Sequence, residues 1–372
     1  MTGTAELGKL KNYVKMKKLA SKLSPTGHEA ALVTSETNIR YLTDFANSEG
    51  TLFVARDKAY LLVDGRYTEA ARKNVTNAEI IEYSKYYETI TELVRKYSMR
   101  DLIIESSSMT VDKLRRLEAA LSGTGCRVMT NDRLDRLIMT QRIIKSKEEI
   151  AKMRKAQQIT EEAFTELLSM VRPGVKESQL ALELEFLMRR KGAQGVSFDL
   201  ITITGAKTSM PHGVPGDVEV KRGDFVTFDI GAIYDGYHSD MTRTVAVGEV
   251  SDKQREVYNV VLQAQTTALS RVKSGVKAYE IDMTARSIIA RAGYGDYFKH
   301  ATGHGVGLEI HEQPSVSSRG ETLLSEGMII TVEPGIYLPG EFGVRIEDMV
   351  AVTKDGYDNF ATLPKELMIL DV

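Results

Sequence analysis

Cysteine is almost absent from this chain. Among 372 residues there is one, Cys126, which excludes an intrachain disulfide and leaves no second thiolate to share a metal. It reads as a small buried hydrophobe. An excess of one charge is also missing: 49 Lys and Arg face 51 Asp and Glu, a formal net charge of −2, so no nucleic-acid footprint is present. No apolar stretch reaches transmembrane length and no signal-peptide apolar region is evident, so no membrane partner and a cytoplasmic location are expected. The basic stretch at residues 9–23, KLKNYVKMKKLASKL, reads as an amphipathic surface helix whose apolar face is too short for a membrane anchor. With 42% hydrophobic and 27% charged residues, the composition is that of a globular protein long enough for two ordinary domains.

The pattern changes near residues 130–145. Before it, apolar runs that read as strands (EAALVTS, TLFVARD, KAYLLVD, DLIIESS) alternate with helical stretches (TITELVRKYS, VDKLRRLEAALSG), which predicts an α/β layer. After it, a helix is expected from about Ser146 to Val171, with Lys147, Glu148 and Glu149 suited to its first turns and Pro173-Gly174 ending it. Domains of residues 1–135 and 136–372 follow, with the candidate chemistry confined to the second.

In that second half, acids stand in apolar company. Within VTFDIGAIYDGYHSDMTRTVAV, Asp235-Gly236 suits a type I′ turn between β-branched and aromatic runs, so a hairpin is expected. A two-residue turn sets Tyr234 opposite Tyr237 and therefore Asp240 opposite Gly231, two residues from Asp229 on the same face. Such diagonal neighbours sit roughly 7–8 Å apart, and carboxylates reaching inward from there can hold cations about 3.5–4 Å apart. On that pair alone, ordinary turn and edge aspartates are an equally good reading. Glu333 shifts the balance, because it ends the apolar strand MIITVE immediately before Pro334 and Gly335. Glu347 lies within GVRIEDMVAV, read as a second apolar strand, with Arg345 two residues earlier on the same face. Isolated acids in such runs are costly unless something neutralises them.

Histidine is scarce and clustered. Of six in the chain, His300, His304 and His311 fall within HATGHGVGLEIHE, and His212 makes a fourth near the candidate site. The glycines at 303, 305 and 307 do not form a dinucleotide fingerprint. Around His304 they are expected to let backbone come close to a metal or substrate. Asp229, Asp240, His304, Glu333 and Glu347 together offer four carboxylates and one imidazole, the donor set that two hard divalent cations need.

An internal repeat runs through the same region. RPGVKESQLALELEFLMRRKG and VKSGVKAYEIDMTARSIIARAG align so that Gly174, Val175, Lys176, Arg190 and Gly192 match Gly275, Val276, Lys277, Arg291 and Gly293. Each copy precedes one acid pair, so two similar halves facing one cleft are expected.

At FDIGAIYDGYHSDMTRT, GHGVGLEIHEQPSVS, TVEPGIY and GVRIEDMV the chain resembles the pita-bread metallopeptidases, the family of methionyl aminopeptidase, Xaa-Pro aminopeptidase and Xaa-Pro dipeptidase. The resemblance covers essentially the whole chain. It implies a creatinase-type α/β N-terminal domain followed by an α+β pita-bread catalytic domain with internal pseudo-twofold symmetry. It also implies that Asp229 holds one metal, Asp240 and Glu347 bridge two, and His304 with Glu333 complete the other. By the same resemblance, His212 and His311 line the substrate site, His300 and Arg345 match positions around a proline-specific site, and Arg345 braces the ligands. Glu333 becomes the candidate to move a proton from the attacking water to the leaving nitrogen, with His311 or His212 donating to the developing oxyanion. Oxygen-rich ligation with one imidazole suits manganese and tolerates cobalt or zinc. The N-terminal domain and histidine set favour an Xaa-Pro aminopeptidase over a methionyl enzyme, with Xaa-Pro dipeptidase as the close alternative. Ser315 stands after Pro314 where some dipeptidases carry an arginine for the substrate carboxylate. Small peptide substrates and a homodimer are expected from the family, and a metal-free binding module on this fold is disfavoured by the intact ligand set.

Overall fold

The computed structural model describes residues 14–23, 27–46 and 49–371. Of the basic N-terminal stretch, residues 9–13 lie outside the described residues, while residues 14–20 are helical with Met16 and Leu19 buried. Among the described residues, no helix is long and apolar enough to cross a membrane. The chain divides into two compact units, residues 1–142 and 143–372. The helix Arg133–Arg142 lies wholly in the first unit, whereas a boundary at residue 135 would cut it.

The first unit is built on a six-stranded mixed sheet of order β4-β3-β2-β1-β5-β6. Its strands are β1 (Glu29–Val33), β2 (Thr51–Ala55), β3 (Lys58–Val63), β4 (Glu79–Glu82), β5 (Asp101–Ile104) and β6 (Arg127–Met129). β1, β2 and β3 are apolar runs buried almost throughout, as strands covered on both faces must be. The expected helix over 89–98 starts earlier, at Tyr86, and ends at Lys96. A short helix, Glu36–Thr43, arises where apolar periodicity is too brief to read; Ser35 caps it by accepting from the Asn38 N–H.

The second unit opens with the helix Lys147–Leu167, started by a capping box between Ser146 and Glu149 and extended by a 3-10 turn to Met170. Its strands are β7 (Gly195–Val196), β8 (Ile201–Thr204), β9 (Phe225–Ile230), β10 (Ala232–Tyr234), β11 (Tyr237–His238), β12 (Met241–Val247), β13 (Gly303–Gly305), β14 (Glu312–Val316), β15 (Ile329–Val332), β16 (Gly335–Leu338), β17 (Phe342–Arg345), β18 (Asp348–Val352), β19 (Tyr357–Asn359) and β20 (Ile369–Leu370).

The duplication is visible in atomic detail. Helices Glu177–Arg190 and Ala278–Arg291 occupy equivalent places in the two halves. Gly174 and Gly275 both take φ of 86°, and Gly223 and Gly327 take 88° and 87°. Lys176 bridges to Asp217 and Lys277 to Glu321 in the same manner. Each half carries a long hairpin whose two arms pass from one sheet into another partway along. In the first, β9 and β12 belong to the sheet β20-β12-β9-β8, while β10 and β11 belong to β11-β10-β7. In the second, β15 and β18 lie in β14-β13-β15-β18-β19, and β16 pairs only with β17.

Asp235 and Gly236 both have positive φ, 46° and 77°, the signature of a type I′ turn. The register follows from it: Tyr234 pairs Tyr237 and Asp229 pairs Thr242. Gly231 marks the bend, where a Cβ would lie 2.0 Å from the Ser239 carbonyl oxygen, so no other residue fits.

The second hairpin corrects one expectation. Glu347 is not inside a continuous strand; it falls in the break between β17 and β18. Val332 pairs Asp348 and Gly335 pairs Arg345, a register that sets Glu333 opposite Glu347. Like charges directly opposite are destabilising in a sheet, and here the ladder is interrupted at that pair.

The break is fastened from behind by Arg243, which is buried on β12. Its guanidinium donates to the backbone carbonyls of Glu347 (2.6 Å), Thr242 (2.9 Å), Leu363 (3.1 Å) and Pro364 (3.1 Å), and to Asp348 Oδ1 (2.8 Å). Burial by itself raises the proton affinity of Asp348, but Arg243 and Lys365 outweigh it and hold the carboxyl below its ordinary range. Replacing Arg243 by Met is expected to cost about 3 kcal/mol or more, the scale for breaking one side of a buried ion pair. Urea unfolding of the two proteins measures it. A difference under about 1 kcal/mol, typical of exposed pairs, would contradict this role.

Candidate metal centre

All four sheet-borne acids sit at or beside the bends of the two hairpins. Asp229 is one residue from the end of β9, Asp240 lies between β11 and β12, Glu333 between β15 and β16, and Glu347 between β17 and β18. A bend tips alternate side chains out of both sheets towards one space, a cavity of about 540 Å³. Asp229, Asp240, His304, Glu333 and Glu347 all line it, together with His212, His300, His311 and Arg345. The nine residues singled out in the sequence therefore meet at one cavity.

Asp240, His304 and Glu347 each present one donor atom within 4.8 Å of the other two. His304 Nε2 lies 3.6 Å from Asp240 Oδ2 and 3.4 Å from Glu333 Oε1. Asp229 is held differently: its Oδ2 accepts from Arg345 at 2.5 Å, while Oδ1 is buried with no hydrogen-bond partner. Such an atom is rare in a folded protein and is a donor available to a cation.

The glycines around His304 correct a second expectation. A Cβ at Gly303 would lie 2.0 Å from the Thr331 carbonyl oxygen, and one at Gly305 2.2 Å from that of Gln313. They admit neighbouring strands on either side of β13, rather than backbone approaching a metal or substrate. His304 is thereby clamped in the middle of a sheet, with its N–H on Thr331 Oγ1 at 3.1 Å and its Nδ1 beside the Gly305 carbonyl at 3.0 Å. That leaves Nε2 facing the acids. The His311 ring stands edge-on to His304, with centroids 4.4 Å apart.

Electrostatically the cavity is strained without cations. Burial, then Asp229 and Glu333, push the Asp240 carboxyl well above its ordinary range. Glu347 is raised likewise by burial and by Asp240, Glu333 and Asp229. Burial lifts Glu333 to about 8, with Asp229 adding to the rise and Arg345 opposing it. In the same cavity burial lowers His304 to about 4, so its imidazole is neutral and able to ligate at neutral pH. Three acids resisting ionisation, with Asp229 beside them and a neutral imidazole, make the chemistry of an oxygen-rich site for divalent cations, and these residues fit such ions.

Several supporting residues escaped sequence reading. Thr242 Oγ1 donates to Glu347 Oε2 at 2.7 Å and receives Arg345 Nε at 3.1 Å. Tyr337 Oη lies 2.8 Å from both Arg345 Nη1 and His300 Nε2, joining His300 to Asp229 through two side chains, Tyr337 and Arg345. Thr331 donates to Glu333 at 3.2 Å. Thr242 could have been found, since the hairpin register places it opposite Asp229. Tyr337 gives no signal within an apolar run.

These shifts predict a pH effect whose sign is fixed. From about pH 7 upward histidine is mostly neutral in the unfolded chain, and His300 and His304 are already neutral in the folded one because both are lowered to about 4. Glu333, ordinarily at 4.5, holds its proton to about 8 when folded, so between these limits the folded state binds more protons and stability falls as pH rises. Metal-stripped protein should therefore melt at progressively lower temperature from about pH 7 to 8, and saturating Mn²⁺ should remove the slope. A pH-independent melting temperature in the stripped protein would contradict the crowding.

Known proteins match along most of the chain. The model of metallopeptidase family M24 matches residues 151–354, and that of the creatinase/prolidase N-terminal domain matches residues 15–156. An Xaa-Pro dipeptidase from Bacillus anthracis superposes with a TM-score of 0.92 at 39% identity, covering 96% of this chain and 100% of that one. An X-Pro aminopeptidase from Thermotoga maritima gives 0.87 at 34% identity, covering 92% and 98%. An Xaa-Pro dipeptidase from Pyrococcus horikoshii is 37% identical across 95% of this chain and 98% of its own. With a creatinase-type N-terminal domain, a pita-bread catalytic domain and the divalent-metal chemistry that the family implies, the chain belongs to metallopeptidase family M24.

Proposed function

We propose that this peptidase is a dinuclear-metal exopeptidase that releases the first residue from peptides whose second residue is proline. The observation that carries the reading is the convergence of Asp229, Asp240, His304, Glu333 and Glu347 in one cavity whose rim holds His212 and His311. In this reading those five residues would hold two divalent cations; manganese suits the donor set best, and cobalt or zinc also fits. When bound, such ions supply Lewis acidity and a nucleophilic water near neutral pH.

The chain's own residues do the rest. Glu333, whose carboxyl binds a proton more readily than an ordinary glutamate, takes the proton of the attacking water and returns it to the leaving nitrogen. In an Xaa-Pro bond that nitrogen bears no hydrogen, so its protonation governs departure. His311 and His212 donate to the oxygen that gains charge. Arg345 stays cationic: burial alone would lower its proton affinity, but Tyr337, Asp229 and Glu333 raise it well above. It holds Asp229 and, through Tyr337, keeps His300 in place. Phe198, Leu200, Ile201, Val214 and Ile310 supply an apolar wall, suited to a proline ring and to excluding water.

Peptides longer than two residues are favoured by one feature of the wall. Among the described residues lining the cavity, Arg345 is the sole Lys or Arg, and Asp229 and Tyr337 already engage it. A dipeptide would bring its terminal carboxylate there with no free cation to meet it. The dipeptidase reading draws instead on the names of the Bacillus anthracis and Pyrococcus horikoshii relatives. A homodimer and a cytoplasmic location belong to the same proposal.

Two assays test it. With Mn²⁺ present, Arg-Pro-Pro should be cleaved after arginine and Gly-Pro should not; turnover of Gly-Pro alone would make the enzyme a dipeptidase. Glu333→Gln should fold normally by circular dichroism and lose about 10²–10⁴-fold in kcat, the usual worth of a positioned acid–base group. Turnover within tenfold of the parent would remove Glu333 from proton transfer.

A further inference from the structure

One acid in the cavity wall has no part in the metal centre. Asp199 lines the same cavity as Asp229, Asp240, Glu333 and Glu347, yet it is exposed, and among the described residues no hydrogen bond or ion pair engages it. An unpaired carboxylate on the wall of a peptide-binding cavity is a recognition group without a partner of its own. We infer that Asp199 selects substrates whose first residue is basic, by pairing with the guanidinium or ammonium of an arginine or lysine side chain. The inference rests on the Xaa-Pro exopeptidase reading and names the substrate class within it.

Its place in the fold sets the distance. Asp199 lies in the segment between β7 and β8, two residues before Ile201, and Ile201 pairs directly with Asp229. Two residues of chain span at most about 7 Å, so the Asp199 backbone stands one short step along the wall from the strand position facing a proposed ligand. The α-ammonium of a substrate is only two bonds from the scissile carbonyl carbon and must stay beside the metals. A charge at the end of an arginine or lysine side chain is carried farther, towards Asp199. Phe198 and Leu200, which flank Asp199 on the same wall, offer apolar surface for the methylene stem. Proline at the second position carries no charge, so the first side chain is the group next to the scissile bond that can answer this carboxylate.

The test compares Arg-Pro-Pro with citrulline-Pro-Pro, which keeps the shape and loses the charge, and with Leu-Pro-Pro. The parent, Asp199→Asn and Asp199→Lys proteins are each loaded with Mn²⁺. In the parent, kcat/KM should favour arginine over citrulline about fivefold, the scale of an ion pair open to solvent, and less in high salt. In Asp199→Asn the ratio should fall to about one, and in Asp199→Lys it should invert, as removal and reversal of that one pair require. An arginine-to-citrulline ratio unchanged by both substitutions would overturn the inference, whether or not the absolute rates drop together. Failure of the parent to cleave any of the three peptides would instead sink the Xaa-Pro reading, and this inference with it.

Discussion

Four carboxylates from the two hairpins face one cavity, and the rest of the catalytic unit is arranged around the cost of holding them there. Unpaired, buried acids neutralise themselves by keeping protons, and Asp240, Glu333 and Glu347 are all pushed in that direction. Arg345 supplies one fixed positive charge, spent on Asp229. Thr242 and Thr331 each donate one hydrogen bond. What remains is charge that divalent cations can satisfy, in a site already shaped before they arrive.

That preorganisation comes from duplicated hairpins, each bent where its acids emerge. In the first, Gly231 lets the chain cross against the Ser239 carbonyl, and the acids stand diagonally across the ladder. In the second they stand directly opposite, and the ladder breaks at that point. Arg243 ties the outer side of this break to β12 and to the carbonyls of Leu363 and Pro364. The backbone position of Glu347 thus depends on the C-terminal segment as well as on its own hairpin.

Local rules made the first hairpin legible. Asp235-Gly236 specified the turn, the turn specified the register, and the register put Asp229 and Asp240 on one face. The repeated Gly-Val-Lys turns revealed the two halves for the same reason, since positive φ at Gly174 and Gly275 leaves a compositional trace. Long-range packing was less readable. The break at Glu347 has no local marker, because Ile346 and Met349 on either side are as apolar as strand residues. The glycines beside His304 were visible, but their reason, the close approach of two neighbouring strands, exists only in the assembled sheet. Tyr337 and Arg243 act through contacts made across the fold, to which hydrophobic periodicity is blind.

In the proposed reading the five candidate ligands fix where a peptide bond is cut, while the cavity wall decides which peptide is held. Apolar residues, a committed Arg345 and a free Asp199 describe that wall, and each bears on substrate choice rather than on bond breaking. The claim beneath all of this is that the crowded carboxylates exist to bind cations. Metal content of the purified chain after equilibration with Mn²⁺ and gel filtration tests it most directly: the account predicts two ions per chain, and none after Asp240→Asn with Glu347→Gln. A parent protein that emerges metal-free, or a double variant that keeps its two ions, would contradict it.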